Sequence, residues 1–184
     1  MDNPKVRVRR TQTRGRGVFA IADIRRGEVI AAFDGAIYDE SFDGWTDDLL
    51  EHTVQFDTAQ WRDSAGLARY INHSCAPNCG IKRLFRVVAM RPIAAGEEIT
   101  WDYEMTEKSW WWRMKCRCGS PECRRVIGNY SRMPARVRRR YKGYISSWLT
   151  RRSQRRRSSS RSSGSQDRRS VSRTSQFEGR LPQR

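Results

Sequence analysis

A cluster of cysteines constrains the fold of this chain more than any other feature of its sequence. Cys116, Cys118 and Cys123 lie within eight residues, and the chain holds five cysteines in all. An odd number at this spacing suits thiolates on a metal ion better than disulfides. Tetrahedral zinc takes four ligands, so these three thiolates predict a zinc-bound segment. A nucleic-acid-binding zinc knuckle and plain free thiols remain open as alternatives.

Basic residues are in large excess and are unevenly placed. The chain of 184 residues carries a formal net charge of +17, and residues 151–184 hold 11 basic residues against 2 acidic ones. This segment consists largely of Arg and Ser, so it cannot bury enough apolar surface to offset its ordering entropy. We predict a disordered tail, Arg151 to Arg184, that binds nucleic-acid phosphates without sequence preference. A simply solvated tail is the alternative.

The sequence gives no sign of membrane insertion or secretion. The N-terminal residues lack the apolar core of a signal peptide, and no stretch approaches the ~18 apolar residues of a membrane span. We therefore expect a soluble intracellular monomer without membrane contact. It would lie in the nucleus, on chromatin, if the source is eukaryotic, and in the cytoplasm otherwise.

Short apolar stretches broken by glycine turns predict a mostly β fold. The predicted strands cover residues 6–10, 29–33, 84–90 and 99–103. Residues 34–63 differ, because they contain nine acidic residues against a single Arg, and a short helix is expected over residues 47–52. Residues 137–149 are predicted to form a helix with one apolar face.

Three further motifs accompany the cysteine cluster. They are Gly15-Arg16-Gly17-Val18-Phe19-Ala20, Arg69-Tyr70-Ile71-Asn72-His73-Ser74-Cys75 and Glu97-Glu98-Ile99-Thr100-Trp101-Asp102-Tyr103. In this order the motifs resemble those of the SET-domain protein lysine methyltransferases that carry a C-terminal zinc-binding post-SET segment. The resemblance covers roughly residues 5–130.

This resemblance implies a fold and a division of the chain. The fold would be a mostly β, SET-type arrangement of small curved sheets with a pseudoknot, short helices, a zinc-bound post-SET segment and a disordered basic tail. The expected parts are a catalytic domain (1–110) with an acidic variable insert (34–63), the post-SET segment (111–130), a basic extension (131–150) and the tail (151–184).

The resemblance also implies the site residues. S-adenosylmethionine would be the cofactor, bound by Arg16, Gly17, Val18, Arg69, Tyr70, Asn72 and His73. Cys75 would join the three clustered cysteines on one structural zinc ion. Tyr103 would be catalytic, because its hydroxyl can orient a substrate lysine and favour the neutral amine.

Some positions depart from the family pattern or have an uncertain role. Phe33 stands where many members have a tyrosine, unless Tyr38 takes its place, and Trp101 stands where the family has Phe or Tyr. The three tryptophans at residues 110–112 are expected to clasp the post-SET segment, with an aromatic cage for a methylated cation as the alternative. Residues 126–127 are expected to cover the cofactor or lysine site.

The sequence therefore predicts a protein-lysine N-methyltransferase acting on a basic protein segment with an acceptor lysine, such as a histone tail. The acidic insert could steer such a substrate, or it could be a solvated surface. One alternative is a catalytically weak zinc-binding module of the same fold that acts on nucleic acid or chromatin through the tail. Another is a methyltransferase for a small molecule.

Overall fold

The computed structural model describes residues 2–151, which fold mainly into short strands arranged in small sheets. The strands are β1 (Val6–Arg10), β2 (Arg16–Ala20), β3 (Val29–Ala32), β4 (Ile37–Asp39), β5 (Val54–Asp57), β6 (Gln60–Arg62), β7 (Asn72–His73), β8 (Cys79–Lys82), β9 (Arg86–Ala89), β10 (Glu98–Trp101), β11 (Met114–Lys115) and β12 (Val126–Ile127). The helices are α1 (Asp47–His52), α2 (Ala135–Arg140) and α3 (Ser147–Thr150). None of these described helices is long and apolar enough to cross a membrane.

One sheet carries two of the sequence motifs side by side. Its strand order is β1-β2-β10-β7, and β10 pairs with β7 in parallel while the other pairs are antiparallel. The parallel register aligns Thr100 with Asn72 and Trp101 with His73. Segments almost thirty residues apart in sequence therefore meet at one sheet edge, which is the neighbourhood that the resemblance predicts for the cofactor motif and Tyr103.

The β1–β2 hairpin depends on a glycine. Gly15 has a φ of +67°, a region that a residue without Cβ enters at little cost. Its carbonyl accepts a hydrogen bond from the amide of Thr11 at 2.7 Å. This tight turn places the start of β2, with Arg16 and Gly17, at the end of the sheet where β7 begins.

A second sheet, β3-β9-β8, packs its apolar face into the main core. Most apolar residues of these strands are buried, as expected for strands that face a core, although Val29 at the start of β3 is 40% exposed. Buried members include Ile30, Ile81 and Val87, each with no exposed surface. The first sheet and this second sheet therefore share one hydrophobic core.

The acidic insert forms a small unit of its own. Its strands make a sheet of order β4-β6-β5, and α1 lies between β4 and β5 in the chain. Thr46 caps α1 by accepting from the amide of Leu49 at 3.2 Å. Thus the insert presents a folded wall rather than a loop, with α1 on the side of the motifs.

The C-terminal part differs from the predicted single helix over residues 137–149. It forms two short helices, α2 and α3, separated by a turn at Gly143, whose φ is +83°. The chain leaves the helical path because the carbonyl of Tyr144 accepts from the amide of Ile81 at 2.8 Å. The predicted apolar face is partly realised, since Tyr141 and Ile145 are buried.

The mostly β class with small sheets and few short helices is confirmed. Strand 6–10 and helix 47–52 lie where the pattern predicts them, and the other predicted strands are displaced by one to two residues at their ends. The predicted disordered tail lies outside the described residues, apart from Arg151.

Candidate active site

Two cavities meet at the edge of the first sheet. One is a wide cleft of about 740 Å³ whose walls include both glycine-turn and Asn-His motifs. The other is a narrow channel with about 80 Å³ of free space, and its lining includes seven Phe, Trp and Tyr side chains. Five residues line both cavities: Glu51, His52, Arg69, Tyr103 and Met114.

Tyr103 stands at this junction because β10 ends just before it. A short 3-10 turn covers Tyr103–Met105, and Asp102 caps the turn by accepting from the amide of Glu104 at 3.2 Å. The Tyr103 hydroxyl donates to the carbonyl of Ile71 at 3.1 Å. Its ring lies 5.0 Å from that of Trp101 and 5.3 Å from that of His73. The side chain is therefore held from several directions.

The floor of the cleft is formed by Asn72 and its neighbours. The Asn72 side-chain amide donates to the carbonyl of Arg16 at 3.0 Å and to Glu98 Oε1 at 2.9 Å. Gly17 lies against this pair, since a Cβ there would be 2.7 Å from Glu98 Oε1 and 2.9 Å from Asn72 Nδ2. A larger residue at this position would therefore have to displace the ends of the Glu98 and Asn72 side chains.

The side wall of the cleft is cationic and aromatic. The Arg16 guanidinium lies over the Tyr70 ring at 4.2 Å from its centroid. Arg69 is held by α1, because its Nη2 atom lies 2.5 Å from Asp48 Oδ2. This ion pair connects α1 of the insert to the segment that precedes β7.

Gly17 and Val18 are placed differently from the other predicted cofactor residues. The Val18 side chain has no exposed surface and belongs to the main core. Gly17 and Val18 are absent from the described cleft lining, whereas Arg16 and Asn72 belong to it. The Val18 side chain therefore supports the cleft through β2 instead of facing it, and a cofactor contact at this residue would have to come from its main chain.

Phe33 and Trp101, the two residues that depart from the family pattern, line the channel. Phe33 and Trp101 are buried and meet edge to face, with ring centroids 6.0 Å apart. Tyr38 does not take the place of a hydroxyl near Phe33. Its ring packs against Phe42 at 4.7 Å and Trp45 at 5.5 Å, and Tyr38 is not among the channel-lining residues.

The cysteine cluster forms a compact sulfur site beside the cleft. The Sγ atoms of Cys75, Cys116, Cys118 and Cys123 all lie within 4.8 Å of one another, and those of Cys75 and Cys116 are 3.7 Å apart. Four sulfurs about 2.3 Å from a central zinc ion would be about 3.8 Å apart. The donor set and its spacing therefore fit a tetrahedral zinc ion, and Cys79 lies apart in the core.

The environment of Cys75 favours a thiolate. The pKa of its thiol is lowered because Cys116 hydrogen-bonds to it, and His73 and Arg124 add further hydrogen bonds. The Arg124 amide lies 3.3 Å and its Nε atom 3.4 Å from Cys75 Sγ. Donors of this kind are typical of groups around a metal-binding thiolate.

Sequence reasoning missed several polar residues that hold the site together. Arg14 pairs with Glu98 and donates to the carbonyl of His73 at 3.3 Å. Arg124 pairs with Asp102 and Glu104, two buried acids on either side of Tyr103. Burial raises the pKa of both carboxyls, while the Arg124 charge works in the opposite direction. The sequence shows that Arg14 and Arg124 lie close to the motifs along the chain, but it does not show which acids they pair with.

The tryptophan run and the segment after the cysteines have distinct places. Trp111 and Trp112 line the channel, while Trp110 is 71% exposed. Trp112 and the fully buried Ile127 pack beside the cysteines. Ile127 therefore covers the sulfur site rather than the cleft or the channel, neither of which it lines.

The cleft residues also fit S-adenosylmethionine. The volume of the cleft falls within the usual range of about 300–1,000 Å³ for ligand sites. The cleft lining includes the cations Arg14 and Arg16, the acid Glu51 and the ring of Tyr70. Such a set can oppose a carboxylate, an ammonium group and an aromatic base.

Comparison with known proteins identifies the domain. Residues 15–104 match the SET domain family. The chain is similar to histone-lysine N-methyltransferase trr of Drosophila melanogaster, with 32% identity over 132 residues that cover 63% of this chain and 5% of that protein. It is 45% identical over 67 residues to the H3 lysine-4-specific histone-lysine N-methyltransferase of Saccharomyces cerevisiae, covering 32% of this chain and 6% of that protein.

A third relative is the H3 lysine-36-specific histone-lysine N-methyltransferase of Candida albicans. It is 30% identical over 154 residues, which cover 71% of this chain and 17% of that protein. The chain thus spans a small fraction of the length of these curated relatives. The family match, over residues that include Tyr103 and part of the lining of both cavities, shows that the chain contains a SET domain.

Proposed function

We propose that this chain is an S-adenosylmethionine-dependent protein-lysine N-methyltransferase that acts on a basic protein segment such as a histone tail. The observation that carries the proposal is the position of Tyr103, which lines both the wide polar cleft and the narrow aromatic channel. A cofactor in the cleft and a lysine side chain in the channel would meet at this residue.

The cleft residues would hold the cofactor by complementary charge and close backbone approach. Arg16 and Arg14 would face its carboxylate, Glu51 its ammonium group, and Tyr70 its aromatic base. Gly17 and Asn72 would keep the floor open. When bound, S-adenosylmethionine supplies a methyl group on a sulfonium, an electrophile that needs no catalytic metal.

The channel residues would prepare the amine. Lysine is protonated in water at neutral pH, and an apolar environment lowers its pKa because it disfavours the charged form. Phe33, Trp101 and Trp111 provide such walls, whereas the Glu51 and Glu107 carboxylates in the same lining favour the charged amine. The Tyr103 hydroxyl donates to the Ile71 carbonyl, so its oxygen can accept from the substrate amine and orient the nitrogen lone pair. Holding two reactants in line accounts for much of the rate of such a displacement.

A basic substrate fits the charge of the insert. Asp48 and Glu51 of α1 lie at the cleft, and Glu51 also lies at the channel. Acidic groups beside a site attract basic chains and speed their encounter. The relatives are named as histone-lysine N-methyltransferases, so histone tails are the first substrates to test. A histone substrate would place the protein on chromatin.

Zinc would have a structural role in this proposal. The four sulfurs lie beside the cleft, and Cys116 and Cys118 also line it. A zinc ion would fix residues 111–130, which have little core of their own, against the sheet. It would take no part in the chemistry, because the cysteines would leave no open ligand position.

The direct test is transfer of labelled methyl from S-adenosylmethionine to a panel of basic proteins that includes the core histones. We expect label on lysine, located by mass spectrometry. A set of free amino acids and small amines should remain unlabelled. Label on the small amines alone would instead support a small-molecule methyltransferase.

A second candidate is a catalytically weak module that binds nucleic acid or chromatin. The observation that favours it is the basic C-terminal part, where α2 has exposed Arg136, Arg139 and Arg140 and residues 124–166 contain no acid. This candidate predicts salt-dependent DNA binding without cofactor binding or methyl transfer. Methyl transfer together with DNA binding would assign the basic part to substrate targeting.

A further inference from the structure

Arg124 connects the sulfur site to both sides of Tyr103. Its Nη2 atom lies 2.7 Å from each carboxylate oxygen of Asp102, and its Nη1 atom lies 2.6 Å from Glu104 Oε2. Its Nε atom and its main-chain amide both approach Cys75 Sγ, at 3.4 and 3.3 Å. The side chain is 15% exposed, so these contacts are made in a largely water-free setting.

The two acids need this cation. The side chains of Asp102 and Glu104 are 0% and 2% exposed, and burying two carboxylates together is costly without a counter-charge. Glu104 Oε1 also accepts from the Gly128 amide at 2.7 Å, and Asp102 Oδ1 lies 3.7 Å from His73 Nδ1. Among the described contacts, Arg124 is the group that reaches both acids at once.

The chain links the position of Arg124 to the metal site. Arg124 follows Cys123 directly, so whatever holds Cys123 also sets where the guanidinium starts. Asp102 precedes Tyr103 and Glu104 follows it, and both lie in the turn that carries the tyrosine. The cysteine loop and the tyrosine turn are therefore joined by one planar side chain with several fixed donors.

We propose that Arg124 is a positioning residue that transmits the order of the metal-bound cysteine loop to Tyr103. Metal binding fixes Cys123, Cys123 fixes Arg124, and Arg124 holds Asp102 and Glu104 so that the Tyr103 ring stays at the junction of the cavities. Loss of the link should release the turn, while the main-chain amide of residue 124 still donates to Cys75, so zinc supplied in excess should still occupy the four thiolates. This inference rests on the proposed function only for its kinetic consequence.

The test compares Arg124→Met with Arg124→Lys and with the control Arg125→Met. Methionine keeps the aliphatic bulk but removes every donor, and lysine keeps the charge but cannot reach three partners in one plane. Arg125 is an exposed neighbour, so its substitution reports the effect of losing a nearby charge alone. The full chain is used, loaded with zinc, and its metal content is measured for each variant.

The first readout does not need activity. Amide hydrogen exchange is followed in a peptide covering residues 102–106, with zinc bound and after chelation. In wild type and Arg125→Met, we expect chelation to speed exchange clearly. In Arg124→Met, exchange should already be fast with one zinc per chain, and chelation should change it little. Slow exchange in zinc-loaded Arg124→Met would overturn the proposal.

The second readout separates rate from binding. Arg124→Met should lower kcat on the order of 100-fold, since a misplacement of about 1 Å can cost that much, while the Kd for S-adenosylmethionine changes less than threefold. Arg124→Lys should recover part of the rate. A loss of kcat that merely follows loss of zinc or cofactor would contradict the proposal. If wild type transfers no methyl, the proposed function fails and the exchange experiment still decides the role of Arg124.

A neutralised variant covers the case in which Arg124→Met does not fold. In Arg124→Met combined with Asp102→Asn and Glu104→Gln, no buried charge remains unpaired, so the protein should fold and bind zinc. Exchange over residues 102–106 should then stay fast with zinc bound, because the link is absent. Slow, chelation-sensitive exchange in this variant would show that coupling does not run through Arg124.

Discussion

The main-chain amide of Tyr103 donates a hydrogen bond to Nδ1 of His73 at 3.3 Å. The other ring nitrogen, Nε2, lies 3.4 Å from Cys75 Sγ. A neutral ring with its proton on Nε2 satisfies both contacts, and this tautomer is assigned from the partners. His73 therefore spans the distance from the sulfur site to the tyrosine turn, and both of its nitrogens are used within the protein.

We expect His73→Ala to weaken zinc binding as well as to slow methyl transfer. The substitution removes a hydrogen-bond donor to Cys75, and loss of such a partner of a metal ligand typically costs about 10–100-fold in metal affinity. Zinc affinity is measured by competition with a chromophoric chelator. The control is His52→Ala, because His52 lies on α1 and bonds to the carbonyl of Asp48. Equal zinc affinities for the two variants would contradict the assignment.

Removal of zinc should destabilise the chain and release the cysteine loop. Structural zinc contributes to folding free energy because its ligands have no preformed site in the unfolded chain. We expect one zinc per chain, a lower Tm after chelation and faster proteolysis within residues 111–130. Cys118→Ser should lose the metal, while Cys79→Ala, at the fifth cysteine, should keep it. Retention of zinc by Cys118→Ser would show that the sulfur site is wrongly assigned.

Gly17→Ala should lower the affinity for S-adenosylmethionine at least tenfold. The added methyl group would lie within 3 Å of Glu98 and Asn72 side-chain atoms, so these groups must move and the cleft floor with them. Overpacking of this kind costs about 1–3 kcal/mol of stability. Isothermal titration gives the Kd, and thermal unfolding gives the stability. Unchanged affinity would mean that the floor does not contact the cofactor.

Glu107 should make stability depend on pH. Its carboxylate lines the channel and accepts from the amides of Lys108 and Ser109, and burial raises its pKa in spite of these bonds. The unfolded group titrates near pH ~4.3, so above that value the folded chain binds more protons, and stability falls as pH rises through the folded pKa.

The matched variant is Glu107→Gln, which keeps an oxygen acceptor but does not titrate. It should equal wild type in Tm below pH ~4 and exceed it increasingly as the pH rises to neutrality. Asp43→Gln, at an exposed position of the insert, serves as the control and should show no such gain. A pH-independent difference for Glu107→Gln would show that the charge of the Glu107 carboxylate is not its cause.

Local patterns predicted four of the twelve strands of the described residues, because alternation and glycine turns act over a few residues. The strand over residues 6–10 and the helix over residues 47–52 depend on such local signals. The single helix over residues 137–149 was wrong, since tertiary pairing of Tyr144 with Ile81 and the left-handed Gly143 override the apolar periodicity.

The candidate site residues were predicted from the motifs in which they lie, whereas the residues that hold them in place were not predicted. Asn72, His73 and Tyr103 lie in strings of characteristic residues, so resemblance reached them. Arg124 and Asp102 meet only because β7 and β10 pair in parallel and the cysteine loop folds over their ends. Such contacts depend on the three-dimensional path of the chain, and no local period encodes them.

The position of Val18 illustrates the same limit. Its place in the glycine motif predicts a cofactor contact, and its burial in the core, with Val8 and Ile99 as strand partners, leaves only the main chain to make that contact. A strand directs successive side chains to opposite faces, so a run of motif residues cannot all face one cleft.

The central claim is that Tyr103 positions the substrate amine at the junction of the two cavities. The most direct measurement is labelled methyl transfer to core histones by wild type, Tyr103→Phe and the control Tyr38→Phe, with S-adenosylmethionine affinity measured for each. Tyr38 packs in the insert away from both cavities. We predict that Tyr103→Phe keeps cofactor affinity within threefold and loses at least 100-fold in kcat, while Tyr38→Phe retains wild-type transfer. Equal transfer by the two phenylalanine variants would contradict the account.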